Sequence, residues 1–119
     1  MVPQCQYYLD GFLLLVATLS NLTFLESSAI ELFRKHRTIA KILSAVKSKP
    51  DFSIFVLDHV STILANAAGS ERCRKEIIRC GGVVTLLCFI QQRPSPFESA
   101  AEIAACERLQ QRSTVAISR

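Results

Sequence analysis

Phe52–Ala68, FSIFVLDHVSTILANAA, is the stretch on which the fold turns. Apolar residues recur at Phe52, Phe55, Val56, Val60, Ile63, Leu64 and Ala67, the three-and-four spacing that gathers side chains on one face of an α-helix. Asp51, just after Pro50, is placed to cap that helix, because its carboxylate accepts a backbone N–H that has no intrahelical partner. Gly69-Ser70 stops it. Near its end lies Ile63-Leu64-Ala65-Asn66, and Thr18-Leu19-Ser20-Asn21 stands 45 positions earlier, with Leu19 under Leu64 and Asn21 under Asn66. The chain repeats itself.

Upstream of the organising helix, residues 1–9 lack a helical period and read as an irregular lead-in. Asp10 then caps a first helix reaching Asn21–Thr23, with Leu15, Leu19 and Leu22 facing inward. Ser28 and Glu31 form a capping box, each side chain serving the other's backbone donor, ahead of a short helix over Ala29–Lys35. Thr38–Lys47 follows, burying Ile39, Ile42, Leu43 and Val46, and Ser48-Lys49-Pro50 ends it, since the residue before proline is pushed out of helical geometry. Between these two helices sits the basic run Arg34-Lys35-His36-Arg37. At the 45-residue offset, His36 and Arg37 fall on Gly81 and Gly82. A Gly-Gly corner implies a positive φ, which His tolerates better than most residues. The run therefore reads as a solvated corner rather than a nuclear signal or a nucleic-acid contact.

The second unit repeats the plan. Glu71–Cys80 is predicted as a short helix with Ile77-Ile78 inward, Gly81-Gly82 as the corner, and Val83–Gln92 as a helix with Val84, Leu87 and Ile90 inward. After the linker Arg93-Pro94-Ser95-Pro96, two capping boxes compete, Ser95 with Glu98 and Ser99 with Glu102. Pro96 favours the earlier, because proline suits the first turn of a helix. The final helix then runs over 98–119, and an offset of 53 lays Leu109 over Val56, Ile117 over Leu64 and Arg119 over Asn66.

A chain of 119 residues bounds the molecule to one domain,. Half the residues are hydrophobic and a fifth charged, a globular balance. The net charge of +4, with a pI near 9.0, permits an acidic partner without requiring nucleic acid. Five cysteines, at 5, 73, 80, 88 and 106, form no C-x-x-C pair. They read as free thiols packed as small hydrophobes in a reducing cytoplasm. Leu9–Leu25 is hydrophobic but carries Asp10, Thr18, Ser20, Asn21 and Thr23, too polar and too short for membrane insertion. No basic segment precedes it in the manner of a signal peptide.

Nor does the sequence show catalytic chemistry. Asp58 and His59 are neighbours on one helix, about 100° apart around its axis, so they do not face each other. A Cys–His pair across the fold would involve His59, but no nucleophile turn or orienting third residue accompanies it. No His/Cys spacing suits zinc, Gly81-Gly82 lacks the lysine of a phosphate loop, and Cys73 and Cys80 fit core packing better than a ligand pair. The chain is read as a non-enzyme with no cofactor, no metal and no small-molecule substrate.

A long helix, a short helix, a Gly corner and a medium helix recurring about every 45 residues is the signature of an α-solenoid. KEIIRCGGVVTLL at 75–87, with the Leu-Ser-Asn and Leu-Ala-Asn helix endings, resembles the armadillo repeat. That resemblance implies an all-α, armadillo-like right-handed superhelix of short helices. The third helices would lie at 10–23, 52–68 and 98–119 and line the concave face. The units would be a third helix at 10–23, a repeat at 27–68, and a repeat at 70–119 with a proline-containing linker at 93–99. A solenoid beginning and ending at third helices exposes core surface, so an excerpt or truncated form of a longer protein is expected.

LLLVATLSNLTF at 13–24, VSTILANA at 60–67 and, above all, EIAACERLQQRS at 102–113 resemble the C-terminal armadillo region of the Inscuteable proteins, over about residues 12–119. The AACER-x-QQ-x-S string is not demanded by armadillo geometry and is the specific part. The resemblance implies an adaptor of asymmetric cell division, in the cytoplasm at the apical cell cortex. It would link a Bazooka-type polarity protein to Partner of Inscuteable and so to spindle orientation. The family's Partner of Inscuteable peptide lies upstream of the armadillo region and is not recognisable in these residues.

The expected partner surface is the stripe of third-helix positions. These are Asp10, Leu14, Ala17 and Asn21 in the first unit, Phe55, His59, Thr62 and Asn66 in the second, and Arg108, Arg112, Val115 and Arg119 in the third. From these, Leu14, Asn21, His59, Thr62, Asn66, Arg112 and Arg119 are the candidate groove residues. An Asn amide offers a donor and an acceptor, enough to hold an extended peptide backbone; it serves equally to bond a neighbouring helix. Nuclear-import armadillo proteins pair such an Asn with a Trp four positions earlier, where this chain has Ala17, Thr62 and Val115. The alternative reading, a basic nuclear-import or nucleic-acid binding module, is therefore the less favoured. Steep salt dependence would mark it.

Overall fold

The computed structural model describes residues 4–25, 27–48, 53–92 and 99–119. They form seven helices, with no strand among the described residues: α1 (Gln4–Leu25), α2 (Ser27–Lys35), α3 (Thr38–Ser48), α4 (Ile54–Ala67), α5 (Glu71–Arg79), α6 (Gly82–Ile90) and α7 (Ala100–Ser118). The expected caps at Asp51 and Ser95, Phe52 and the linker core lie outside the described residues.

α4 is the centre. It packs most extensively against α7 on one side and α1 on the other, and nine of its residues are buried, from Val56 to Ala67. Val60, Ile63 and Leu64 are wholly inaccessible, and each such side chain contributes on the order of 1.5–3 kcal/mol through burial. The Ser53 hydroxyl caps the helix, accepting from Val56 N at 3.4 Å. α7 starts at the later of the two boxes. Ser99 Oγ accepts from Glu102 N at 3.2 Å while Glu102 Oε1 accepts from Ser99 N at 3.3 Å, so reciprocal capping outweighs the pull of Pro96. α1 begins earlier than its periodicity suggests, and Asp10 sits inside it rather than at its start.

The short helices keep the repeat but not its register. α2 and α5 are nine residues each, 44 positions apart, and α3 and α6 begin 44 apart. Buried Ala29 and Phe33 thus correspond to buried Cys73 and Ile77, and Ile42 to Leu86. From Asn21 to the start of α2 is one residue longer than from Asn66 to the start of α5, which absorbs the difference from 45. Two expectations change accordingly. The left-handed residue at the first corner is Arg37 (φ +54°) rather than His36, matching Gly81 (φ +75°) at the second. In α6 the inward residues are Thr85, Leu86 and Phe89, with Ile90 half-buried and Val84 and Leu87 exposed; in α5, Ile78 is exposed while Ile77 is buried.

On α1 the inward residues are Val16 and Ser20, Leu19 is half-buried, and Leu15 and Leu22 are exposed. α1 has α4 on one side and the short α2 beside it, so fewer of its faces are covered than in α4. The second corner is tight. A β-carbon on Gly82 would come within 2.9 Å of the Ile77 carbonyl oxygen, and the Lys47 ammonium donates to the Cys80 carbonyl across the same corner. No helix among the described residues is long and apolar enough to cross a membrane.

Candidate functional site

The most concentrated polar arrangement lies where α7 crosses α4. Asp58 falls in the middle of an apolar run, between Val56 and Val60, and is buried with 4% of its surface exposed. A lone carboxylate in that position would be strongly unfavourable. Two arginines answer it. Arg108 Nε and Nη2 approach Asp58 Oδ2 at 3.1 and 3.0 Å, and Arg112 Nη1 donates to Oδ1 at 3.0 Å. The arginines are four residues apart and so share one face of α7, where their mutual repulsion is offset by the shared carboxylate. Arg112 Nη1 also donates to Thr62 Oγ1 at 2.6 Å.

Thr62 in turn donates to the Asp58 carbonyl at 3.1 Å, and Ser61 Oγ donates to the same oxygen at 2.7 Å. Side-chain and backbone acceptors of Asp58 are thus satisfied together, which rigidifies the crossing. Both guanidinium groups stay partly exposed, Arg108 at 44% and Arg112 at 37% of the side chain. The cluster presents oriented, charged donors at the protein surface, buttressed from beneath.

The other candidate groove residues divide by environment. Leu14 and Asn21 are exposed on α1, and Leu14 is the most exposed of the large apolar residues among those described, at 71%. His59 is half-buried on α4. Asn66 is half-buried and donates to Thr23 Oγ1 on α1 at 2.7 Å. Thr62 is buried under Arg112. Arg119, exposed at the end of the chain, donates through Nη1 to the Ala65 carbonyl at 2.7 Å. Thr62, Asn66, Arg112 and Arg119 therefore meet on or around α4, each engaged with a neighbouring helix, while Leu14 and Asn21 face solvent.

The sequence weighs Asp58 only as a neighbour of His59, and its pairing with the two arginines is what that reading missed. Its signal is a carboxylate on the apolar side of a helix whose neighbours at Val56, Val60 and Ile63 are core. The matching Arg108/Arg112 pair is one turn apart in the string EIAACERLQQRS. Other members of that string also tie α7 down: Gln110 Nε2 donates to the Gln92 carbonyl, and Cys106 packs with its thiol 3.7 Å from the same oxygen. Among the described residues, no group of three His, Cys, Asp or Glu side chains converges as a metal ion requires.

Residues 4–119 match the family described as Protein inscuteable C-terminal. The chain belongs to the Inscuteable C-terminal family. It is 34% identical over 122 residues to Protein inscuteable homolog of Homo sapiens and, equally, to that of Mus musculus, in each case over 100% of this chain. The chain spans about a fifth of the length of these curated relatives, 21% in each. No solved structure matches. Inscuteable membership gives the EIAACERLQQRS string a physical content, because in this family member its polar side chains secure α7 to α4 and to the end of α6.

Proposed function

We propose that this Inscuteable C-terminal chain is a non-catalytic adaptor domain of cell polarity and spindle orientation, arranged as an armadillo-type solenoid. The observation that carries the reading is the layer α1–α4–α7, three long helices side by side. It is backed by two equivalent short-helix pairs, with α2 against α5 and α3 against α6. Stacked units of this kind give an extended face for a partner chain.

The partner segment lies along that layer. Leu14 and Asn21 offer an apolar contact and a backbone-holding amide at one end. His59 stands at the centre. Arg112 and Arg119 supply carboxylate-gripping forks at the other end, held by Asp58, Thr62 and the Ala65 carbonyl. Thr62 and Asn66 serve from beneath, aiming Arg112 and joining α4 to α1. A change from apolar to basic along one layer fixes the direction of an acidic peptide, and planar guanidinium groups bind carboxylates bidentately. The partner is a Bazooka-type polarity protein, with Partner of Inscuteable joined through other parts of the full-length protein, at the apical cortex.

Titration calorimetry of the chain against a Bazooka-type polarity protein tests this, at two salt concentrations. Leu14→Glu and Asn21→Ala should each weaken binding by about 1–3 kcal/mol without changing the melting temperature. Affinity equal to wild type in both variants would place the partner elsewhere. Tighter binding of an oligonucleotide than of the polarity protein, falling steeply with salt, would favour the nucleic-acid reading instead.

A further inference from the structure

Away from the α1–α4–α7 layer, a cleft of about 420 Å³ opens between α2, α3 and α5. Arg34, Arg37, Arg72, Lys75 and Arg79 line it, with Glu76 among them. Arg72, Lys75 and Arg79 follow one face of α5 at intervals of three and four residues, a stripe spanning about 10 Å. Arg34 comes from the last turn of α2 and Arg37 from the corner after it. Countercharge is present but short of balance. Glu31 pairs with Arg34 and stands 3.8 Å from Arg72, and Glu71 stands 3.6 Å from Lys75. The hydrogen bond from Arg34, with Arg72 nearby, holds the Glu31 carboxyl below its ordinary range. Five cations thus face Glu76, Glu31 and Glu71.

Arg37 adds an independent observation. It occupies the left-handed region at φ +54°, and its counterpart in the second unit is Gly81. A side chain there is strained, and glycine is the residue that the backbone favours. The chain carries a guanidinium at this position against conformational preference, and that guanidinium lines the cleft.

We infer that the α2–α3–α5 cleft docks a phosphorylated, acidic segment of a protein partner, with the phosphate held among Arg37, Arg72 and Arg79. Three features select this occupant. The cations are mostly arginine, whose planar fork matches a phosphate's oxygens. The site is recessed and about 10 Å long, which suits one phosphorylated side chain and its flanks; a flat bilayer meets a broad surface, and a nucleic acid needs a longer cationic track. Glu31, which pairs with Arg34 and stands near Arg72, sets a threshold, since a dianion displaces it from the arginines more effectively than a single carboxylate does. The inference is independent of the groove proposed above, because none of these residues belongs to α1, α4 or α7.

The test is fluorescence anisotropy with the 119-residue chain and a labelled peptide, Glu-Glu-phosphoserine-Glu-Glu, beside its unphosphorylated twin. The phosphopeptide should bind about tenfold tighter or more, the scale of charge-assisted phosphate recognition. Arg37→Gly removes the guanidinium while relieving the strained backbone, so it should weaken phosphopeptide binding several-fold with no loss of melting temperature. Arg79→Glu should weaken binding further, and Lys41→Glu, on the exposed side of α3, should leave it unchanged. The inference is overturned if the twin binds equally well, or if Arg37→Gly and Arg79→Glu both retain wild-type affinity. It is also overturned if phosphatidylserine vesicles or a single-stranded oligonucleotide bind more tightly than the phosphopeptide in an Arg79-dependent way.

Discussion

Asn66 on α4 donates through its amide to Thr23 Oγ1 on α1 at 2.7 Å, and Thr23 Oγ1 donates in turn to the Ser20 carbonyl at 2.6 Å. This relay fastens α4 to α1 near one end, as the Asp58 cluster fastens α4 to α7 near its middle. Asn66→Ala should therefore cost about 0.5–1.5 kcal/mol of stability, the net worth of one such hydrogen bond, measured by urea denaturation. Unchanged stability would assign the amide to ligand binding instead.

The Asp58 cluster is expected to be asymmetric in its energetics. Asp58→Asn leaves two arginines that can turn to solvent, and should cost about 1.5–3 kcal/mol, the range for hydrogen bonds to charged groups. Replacing Arg108 and Arg112 together by Met strands a buried carboxylate and should cost more, about 3–5 kcal/mol. Chemical denaturation of Asp58→Asn beside the joint Arg108→Met, Arg112→Met variant checks the order. Equal or reversed costs would mean that the carboxylate is better solvated than its burial implies.

Leu64 is fully buried in the last turn of α4. Leu64→Ala should cost about 2–5 kcal/mol through lost transfer energy and a cavity. Circular dichroism against temperature reads the shift, and an unchanged melt would remove Leu64 from the core.

Ser113 Oγ is buried on α7 with no hydrogen-bond partner among the described residues. Ser113→Ala removes an unsatisfied hydroxyl and should raise stability by up to about 1–3 kcal/mol. A fall in stability would reveal a partner for the hydroxyl.

Thiol chemistry should follow burial. Burial pushes the Cys73 thiol above its ordinary range, so its thiolate is scarce at neutral pH, and Cys106 is likewise buried, whereas Cys88 is exposed. Ellman's reagent should label Cys88 quickly, and Cys73 and Cys106 only on unfolding. Because the folded pKa of Cys73 is raised, its contribution to stability is complete below the usual thiol pKa of about 8.5. It is lost as pH climbs through the folded value. Cys73→Ala should flatten that alkaline decline in melting temperature.

The helices were legible where apolar spacing was strong, as in Ile39, Ile42 and Leu43 of α3 and Val60 to Ala67 of α4. The inward face of α6 was displaced by one position, and of the Ile77-Ile78 pair in α5 only Ile77 is buried, because the Leu-Ser-Asn and Leu-Ala-Asn endings match at 45 while the short helices match at 44. A connector that differs by one residue leaves no mark on periodicity, yet it turns a helix by about 100°. Arg112 and Arg119 were legible as members of a stripe, but their bonds to Asp58 and to the Ala65 carbonyl reach more than 50 positions along the chain. Asp58 stands among core positions in the local pattern, but the arginines that answer it lie 50 and 54 positions away on α7.

With α1 on one flank and α7 on the other, α4 buries nine of its residues between Val56 and Ala67. Hydrogen exchange should accordingly run inward. The two outer long helices open in partial excursions, and residues 56–67 give up their protons only when the whole assembly comes apart,. The protein's slowest clock is then kept by its middle, so a ligand that grips α1 and α7 together would be felt first as lengthened protection there, before any change in shape.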